Sequence, residues 1–316
     1  FHFDKEHKSI DVKTTFRKNV TQIPKYLKEL KTIHKVVESS RADTIINFYD
    51  VLGGFYFLLY KPQVRRICIA HQYLASHSEF PFNEAYPFQK FLFKLNNQLT
   101  SSFAHKKLAL SFKKLPQESA KLKVVPPLIR REVLKLKPSK GDYILAYVVN
   151  KGYGSDIQKW HAKNPKVKIH CFWDNFDKPD EWSPRENITF HHINDRKFIS
   201  YLANCAGYVS TAGFESICEA MYLGKPIMMV PVKGQYEQLC NALDAQKVGA
   251  GVIGKEFQIE KLLAHISQKP KGVRGFKTWV RSNKKTLLYE IEDIESHKVT
   301  VENESWSSRE LTFNNR

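Results

Sequence analysis

Between Tyr208 and Ala242 the chain reads YVSTAGFESICEAMYLGKPIMMVPVKGQYEQLCNA, and the order of apolar runs and breakers in it admits few folds. The run ending at Val209 reads as a strand, Thr211-Ala212-Gly213 as a tight turn, Phe214 to Leu223 as a helix, and Gly224-Lys225-Pro226 as its stop. Ile227 to Val230 follows at once as a second strand. Such a unit aims the free N–H groups of the helix start, around Ala212, Gly213 and Phe214, at one point beyond the strand end, where they suit a phosphate. Glu219 lies six residues beyond Gly213, roughly 9 Å along a helix axis, a separation that suits a diphosphate and a ribose. Gln235, Glu237, Gln238 and Asn241 add hydroxyl-binding side chains where open α/β sheets place ligands. The competing reading makes Glu215 and Glu219 a solvated helix face and Gln235 to Asn241 the start of the next helix.

The same alternation extends along the chain. Ile23–Val37 reads as an amphipathic helix, Thr44–Asp50 as a strand, Gly53-Gly54 as the lead into a helix at FYFLLY, Arg66–His71 and Lys107–Phe112 as strands, and Tyr86–Leu99 as a helix with an aromatic face. Pro126-Pro127 and the KLKPSKG run then interrupt it. Tyr143–Val149 restarts the pattern, followed by a Gly-bearing turn at Asn150–Ser155, a helix at Asp156–Lys163, strands at Val167–Phe172 and Ile188–Ile193, and a helix at Arg196–Cys205. Phe257–Ile266 and Thr278–Ile291 read as late helices, either able to return to the first domain. The expectation is an α/β protein of two Rossmann-like domains with parallel sheets and a ligand cleft between them: residues 1–138, residues 139–292, and a polar tail over 293–316.

The 316 residues hold five scattered cysteines and no CxxC pair, the pattern of reduced core thiols in a cytoplasmic protein, and no uninterrupted apolar run approaches a membrane span. Charge is uneven. Residues 1–141 contain 26 Lys and Arg against 11 Asp and Glu, and the rest 24 against 21, so the first half carries nearly all of the excess. Such a surface attracts an anionic membrane or a phosphorylated substrate, with a peripheral position on the inner membrane face as the implied location. Nucleic acid is not expected, because recognition-helix, zinc-finger and aromatic RNA-binding patterns are all lacking. His191-His192 does not suggest a metal site, since adjacent strand residues point to opposite faces.

The Ala206–Gly251 region resembles the donor domain of GT-B glycosyltransferases, closest to family 28, which includes the bacterial N-acetylglucosaminyltransferase that forms lipid II. The match rests on the turn at Thr211–Gly213, Glu219, Gly224–Pro226, Pro231, and Glu237-Gln238 before Asn241-Ala242. The resemblance implies donor diphosphate on Thr211, Ala212 and Gly213, ribose on Glu219, sugar hydroxyls on Glu237 and Gln238, close approach at Asn150, Gly152 and Gly154, and a base read by main chain near His192 and Ile193. It also implies a nucleotide sugar, UDP-linked, as donor, a glycan, lipid-linked, small-molecule or polyanionic acceptor, and no cofactor.

A DxD motif is absent, which fits metal-independent transfer. Retaining GT-B enzymes often carry a spaced Glu pair near this turn that Glu215 and Glu219 do not match, so inversion through a single base is the expectation. In family 28 the base is a His in a Gly-rich loop after the first strand of the first domain. This chain opens on FHFDKEHKSIDVKTTF without that loop, and the expectation is a base preceding Phe1 in an N-terminally shortened, inactive chain. Asp50, His71 and Gln72 remain as acceptor-side candidates. A nucleotide-sugar 2-epimerase and a non-catalytic nucleotide-sugar-binding or docking subunit are the rival readings.

Overall fold

The computed structural model describes residues 21–148 and 151–292, together with two short strands near the start. Those strands, β1 (Phe3–Asp4) and β2 (Ser9–Ile10), pair antiparallel. The described chain otherwise forms two compact units, one of Ile23–Ser78, Lys94–Pro126 and 281–292, the other of Glu79–Phe93 and Pro127–Val280.

The first unit is built on β3 (Thr44–Asn47), β4 (Arg65–Ala70), β5 (Lys106–Leu110) and β6 (Leu122–Val125), all parallel in that order. Ile67, Cys68 and Ile69 in β4 and Leu108 and Ala109 in β5 are buried at successive positions, as befits central parallel strands covered on both faces. Asp50 caps the Val51–Tyr60 helix by accepting from Gly53 N at 2.8 Å. Gly53 and Gly54, expected as a lead-in, lie inside this helix. A Cβ at Gly54 would stand 2.0 Å from the Leu99 carbonyl oxygen, so the glycine lets this helix press against the end of the Pro87–Thr100 helix. The late helix expected over Thr278–Ile291 is broken into Phe276–Arg281 and Asn283–Glu292. Its second half belongs to this unit, held by Lys106 Nζ to Glu290 Oε2 at 2.9 Å.

The second unit carries a seven-stranded sheet of β7 (Tyr143–Val148), β8 (Lys168–Trp173), β9 (Glu181–Arg185), β10 (Ile188–His192), β11 (Gly207–Ser210), β12 (Ile227–Met229) and β13 (Val252–Ile253). Its order is β13-β12-β11-β7-β8-β10-β9, parallel except for the β9 edge. Pro184 sits in that edge strand, where a missing N–H costs least. From β7 the chain builds outward through β8 and β10, then crosses back to lay β11 on the other side of β7. That reversal makes the carboxyl ends of β7 and β11 the topological switch point, the place where doubly wound sheets hold ligands.

Glu79–Phe93 falls with this unit although it precedes the expected division at 138/139. Tyr236 donates to Asn83 O at 2.9 Å, Lys247 Nζ to Glu79 O at 2.9 Å, and Phe93 packs on the Tyr236 ring. Among the described residues no helix is long and apolar enough to cross a membrane, and all five cysteines are buried and free. The rest of the opening segment and the tail over 293–316 lie outside the described residues.

Candidate functional site

The chain leaves β11 at Ser210, turns through Thr211, Ala212 and Gly213, and enters the Phe214–Tyr222 helix with no side chain capping its start. Its first N–H groups therefore point outward from the switch point, carrying the positive end of the helix dipole. Thr211, Ala212 and Phe214 are buried, and the turn is braced from behind by Asn241 Nδ2, which donates to Ala212 O at 3.1 Å. A Cβ at Gly213 would meet only Ser216 Oγ, at 3.9 Å, so this position is open. The helix ends at Gly224, whose φ of +70° permits Lys225 N to reach Ala220 O at 2.9 Å in a glycine-terminated stop.

Glu219, expected to present a free carboxylate, is instead 3% exposed and clamped by Arg130. Arg130 Nε donates to Oε1 at 2.7 Å and Nη2 to Oε2 at 2.5 Å, a bidentate fork. Arg130 Nη1 also lies 3.4 Å from the exposed Asp195 carboxylate, and the guanidinium stands 5.8 Å from the Phe198 ring centroid. The hydrogen bond to Glu219, first among its influences, raises the guanidinium pKa further. Sequence reading missed Arg130 because it ends a Pro-rich connector. The available signal was a basic pair, Arg130-Arg131, directly ahead of the second domain.

Some of the other expected ligand groups are engaged with the protein itself. Gln238 is buried, and its Oε1 accepts from Val232 N at 2.9 Å, holding the loop after β12. Glu237 and Gln235 are half-buried at the start of the Tyr236–Lys247 helix, where Gln235 makes no side-chain cap bond and its Oε1 is buried without a hydrogen-bond partner among the described residues. The expected glycine turn is the first part of a helix, Lys151–Lys163, with Gly152 and Gly154 inside it and Asn150 outside the described residues. A Cβ at Gly154 would lie 2.5 Å from Trp173, so that glycine serves helix-on-sheet packing. Ile193 follows β10 exposed, and the neighbouring His192 N–H is bonded to Asp180 O at 3.1 Å.

His191 points inward, as the strand alternation requires, and shares a 3.0 Å hydrogen bond with His170 beneath the Tyr201 ring. Burial first, then Lys197 and His170, lowers its pKa to about 4, against ~6.5 for an unfolded imidazole. Between those values the unfolded chain binds a proton that the folded one refuses. Stability contributed by this pair is thus complete above about pH 6.5 and lost as pH falls toward 4. We expect urea unfolding of the second unit to weaken by on the order of 2–3 kcal/mol over that window, and His191→Phe to flatten the dependence.

In the first unit, His71 is buried against Phe112 with Nδ1 2.8 Å from Leu110 O, and burial lowers its pKa to about 4. A base so weak and enclosed is poorly matched to deprotonating a hydroxyl near neutral pH. Gln72 opens a short 3-10 turn, and Asp50 acts as the helix cap described above. Among the described residues no group of three or more His, Cys, Asp or Glu side chains is placed to hold a metal ion.

Known proteins agree with this architecture. The model of glycosyl transferase family 1 matches residues 1–270. A curated relative, the Thermotoga petrophila UDP-N-acetylglucosamine--N-acetylmuramyl-(pentapeptide) pyrophosphoryl-undecaprenol N-acetylglucosamine transferase, is 31% identical over 83 residues, 24% of each chain. The match therefore spans about a quarter of that relative's length. Among solved structures, the calicheamicin glycosyltransferase CalG4 is similar at a TM-score of 0.58 and 13% identity, over 90% of this chain and 81% of its own. The UDP-GlcNAc 2-epimerase from Neisseria meningitidis bound to UDP-GlcNAc gives 0.55 and 14%, over 83% and 81%. Those likenesses concern the fold, the GT-B architecture of two α/β units. With most of its length matched, the chain belongs to glycosyl transferase family 1.

Proposed function

We propose that this chain moves a sugar from a UDP-linked donor to an acceptor hydroxyl, and that the second unit holds the donor. The observation that carries the reading is the uncapped helix start after Thr211–Gly213 at the switch point, with Glu219 on the same helix. Gly213 N–H donates to Thr211 O at 2.7 Å, so diphosphate oxygens accept from the N–H groups of the helix's first turn beyond it, and the ribose hydroxyls donate to Glu219. In this reading Arg130 leaves Glu219 when the donor arrives and turns to the diphosphate, so that one guanidinium serves two anions in succession. Its charge and the helix dipole then stabilise the departing UDP, without a metal ion. Inversion follows from a single displacement with one base on the acceptor side.

The curated relative's name supplies a lipid-linked acceptor and UDP-N-acetylglucosamine as candidates. Membrane association is supported by the Pro87–Thr100 helix, which leaves Phe88, Phe91, Leu92 and Leu95 exposed near Lys90 and Lys94. A peripheral cytoplasmic-face location is part of the same proposal.

The test is to incubate the full-length protein with a panel of UDP-sugars and extracted lipid acceptors. Release of UDP with a glycosylated product supports transfer; an isomeric donor indicates the epimerase, and tight UDP binding without turnover the binding subunit. Gly213→Val isolates the donor turn. Its backbone already lies in the β region, at φ −75° and ψ 127°, with open space around it, so stability changes by less than ~1 kcal/mol. UDP affinity is expected to fall about tenfold or more, because the branched side chain obstructs the N–H groups.

A further inference from the structure

A polar pocket lies wholly within the first unit. It has a volume of about 320 Å3 and is lined by Ala75, Ser76, Lys94, Asn97, Gln98, Ser101 and Lys107. No apolar side chain larger than Ala75 lines it, and its two charges have the same sign. The 3-10 turn after β4 supplies Ala75 and Ser76, β5 supplies Lys107, the second half of the Pro87–Thr100 helix supplies Lys94, Asn97 and Gln98, and Ser101 follows its end. Residues Lys94, Asn97, Gln98 and Ser101 recur at helical spacing along one face.

Two observations mark it as built for a ligand. Asn97 is 7% exposed, and both its amide nitrogen and its amide oxygen are buried without a hydrogen-bond partner. A fully unsatisfied buried amide costs on the order of 1–3 kcal/mol, which protein folds rarely tolerate without use. Lys107 is half-buried, and its Nζ has Ser76 Oγ at 3.5 Å but no carboxylate partner among the described residues. Its strand neighbour Lys106 points the other way and has its acid, Glu290. The contrast shows that the sheet supplies a counterion on one face and omits it on the other.

From this cluster we infer that the pocket binds a small phosphorylated polyol, its phosphate held by Lys94 and Lys107 and a hydroxyl by Asn97. Two ammonium groups and the Ser76 hydroxyl suit the oxygens of a phosphate. The Asn97 amide, donor and acceptor at once, suits a hydroxyl, which is both. The volume exceeds what inorganic phosphate fills and lies at the small end of ordinary ligand sites. Residues of this pocket belong to the first unit and none belongs to the proposed donor site.

The experiment is calorimetric titration of the full-length protein with glycerol 3-phosphate, in the presence of UDP so that any nucleotide site is occupied. Saturable binding is expected, about tenfold or more weaker in Lys107→Met and several-fold weaker in Lys94→Met, at an exposed position. Absence of binding both to this probe and to vesicles doped with phosphatidic acid, equal affinity in wild type and both variants, or binding that UDP abolishes would overturn the inference. Vesicles doped with phosphatidic acid carry the same headgroup chemistry. Lysine-dependent binding to them alone supports the pocket with a lipid as the source, whereas binding of the soluble probe identifies a free metabolite. Failure of UDP itself to bind counts against the donor reading and leaves this one standing.

Discussion

Arg130→Met is expected to destabilise the second unit by about 3 kcal/mol, as judged by urea unfolding with amide exchange followed across Phe214–Tyr222. The reason is the asymmetry of a pair in which one member is far more buried. Glu219 is 3% exposed, whereas the Arg130 side chain remains 34% exposed. Removing the arginine leaves a carboxylate inside the protein with its bidentate partner gone, the situation that costs ~3–5 kcal/mol when both members are buried. Solvent access on the Arg130 side places the expectation at the low end. Glu219→Gln in the Arg130→Met background should recover most of the loss, because the charge is then absent, even though one hydrogen bond is not restored. A loss under about 0.5 kcal/mol for Arg130→Met, typical of screened surface pairs, would contradict this account of the pair.

Gly54→Ala is the other substitution with a large expected effect, and here two principles predict opposite signs. By helix propensity alone the change stabilises by about 1 kcal/mol, since Gly54 lies inside the Val51–Tyr60 helix. By packing it destabilises. The new Cβ would stand 2.0 Å from the Leu99 carbonyl oxygen, with Leu99 C and Thr100 Cα each at 2.8 Å. All three obstacles are backbone atoms, so no rotamer change relieves the contact and the two helices must separate. Overpacking of this kind costs ~1–3 kcal/mol, and the rigid neighbour argues for the upper value, a net loss of roughly 2 kcal/mol in urea unfolding of the first unit. A gain in stability would show that the helices are less tightly apposed than described.

The glycines also show where local reading of the chain reaches its limit. Gly224 was legible because a helix stop needs only local chemistry, a positive φ and a following Pro226. Gly53, Gly54, Gly152 and Gly154 look the same by propensity, yet each sits within a helix, and Gly54 and Gly154 closely approach Leu99 and Trp173, which no window of neighbouring residues contains. The strand-turn-helix at Ser210–Tyr222 was legible for the same reason that Gly224 was. β9 was not, because EWSPR has a proline, two charges and little apolar content, and it exists only as an antiparallel edge paired to β10.

The polar side chains divide in a similar way. Residue type suggested hydroxyl binding for Gln238 and Asn241, but their amides brace Val232 N and Ala212 O. Glu219 was singled out as a ribose-binding carboxylate within an ordered set, and the structure buries it against a partner 89 residues earlier, whose only local signal was the Arg130-Arg131 pair. A pairing across that distance is a property of the fold, since only the assembled second unit brings the connector after Pro127 against the helix after β11. Asp50 follows the same logic in reverse. A carboxylate at a strand end suggested acceptor chemistry, and the structure uses it as an ordinary helix cap.

The central claim is that the turn at Thr211–Gly213 and Glu219 together form a UDP site. Calorimetric titration of UDP into the wild-type chain and into Glu219→Ala tests it most directly. The account predicts one saturable site in the wild type and an affinity about tenfold or more lower in the variant, from loss of the ribose contact to a charged acceptor. Equal affinity in the two proteins, or no UDP binding by the wild type, would contradict it.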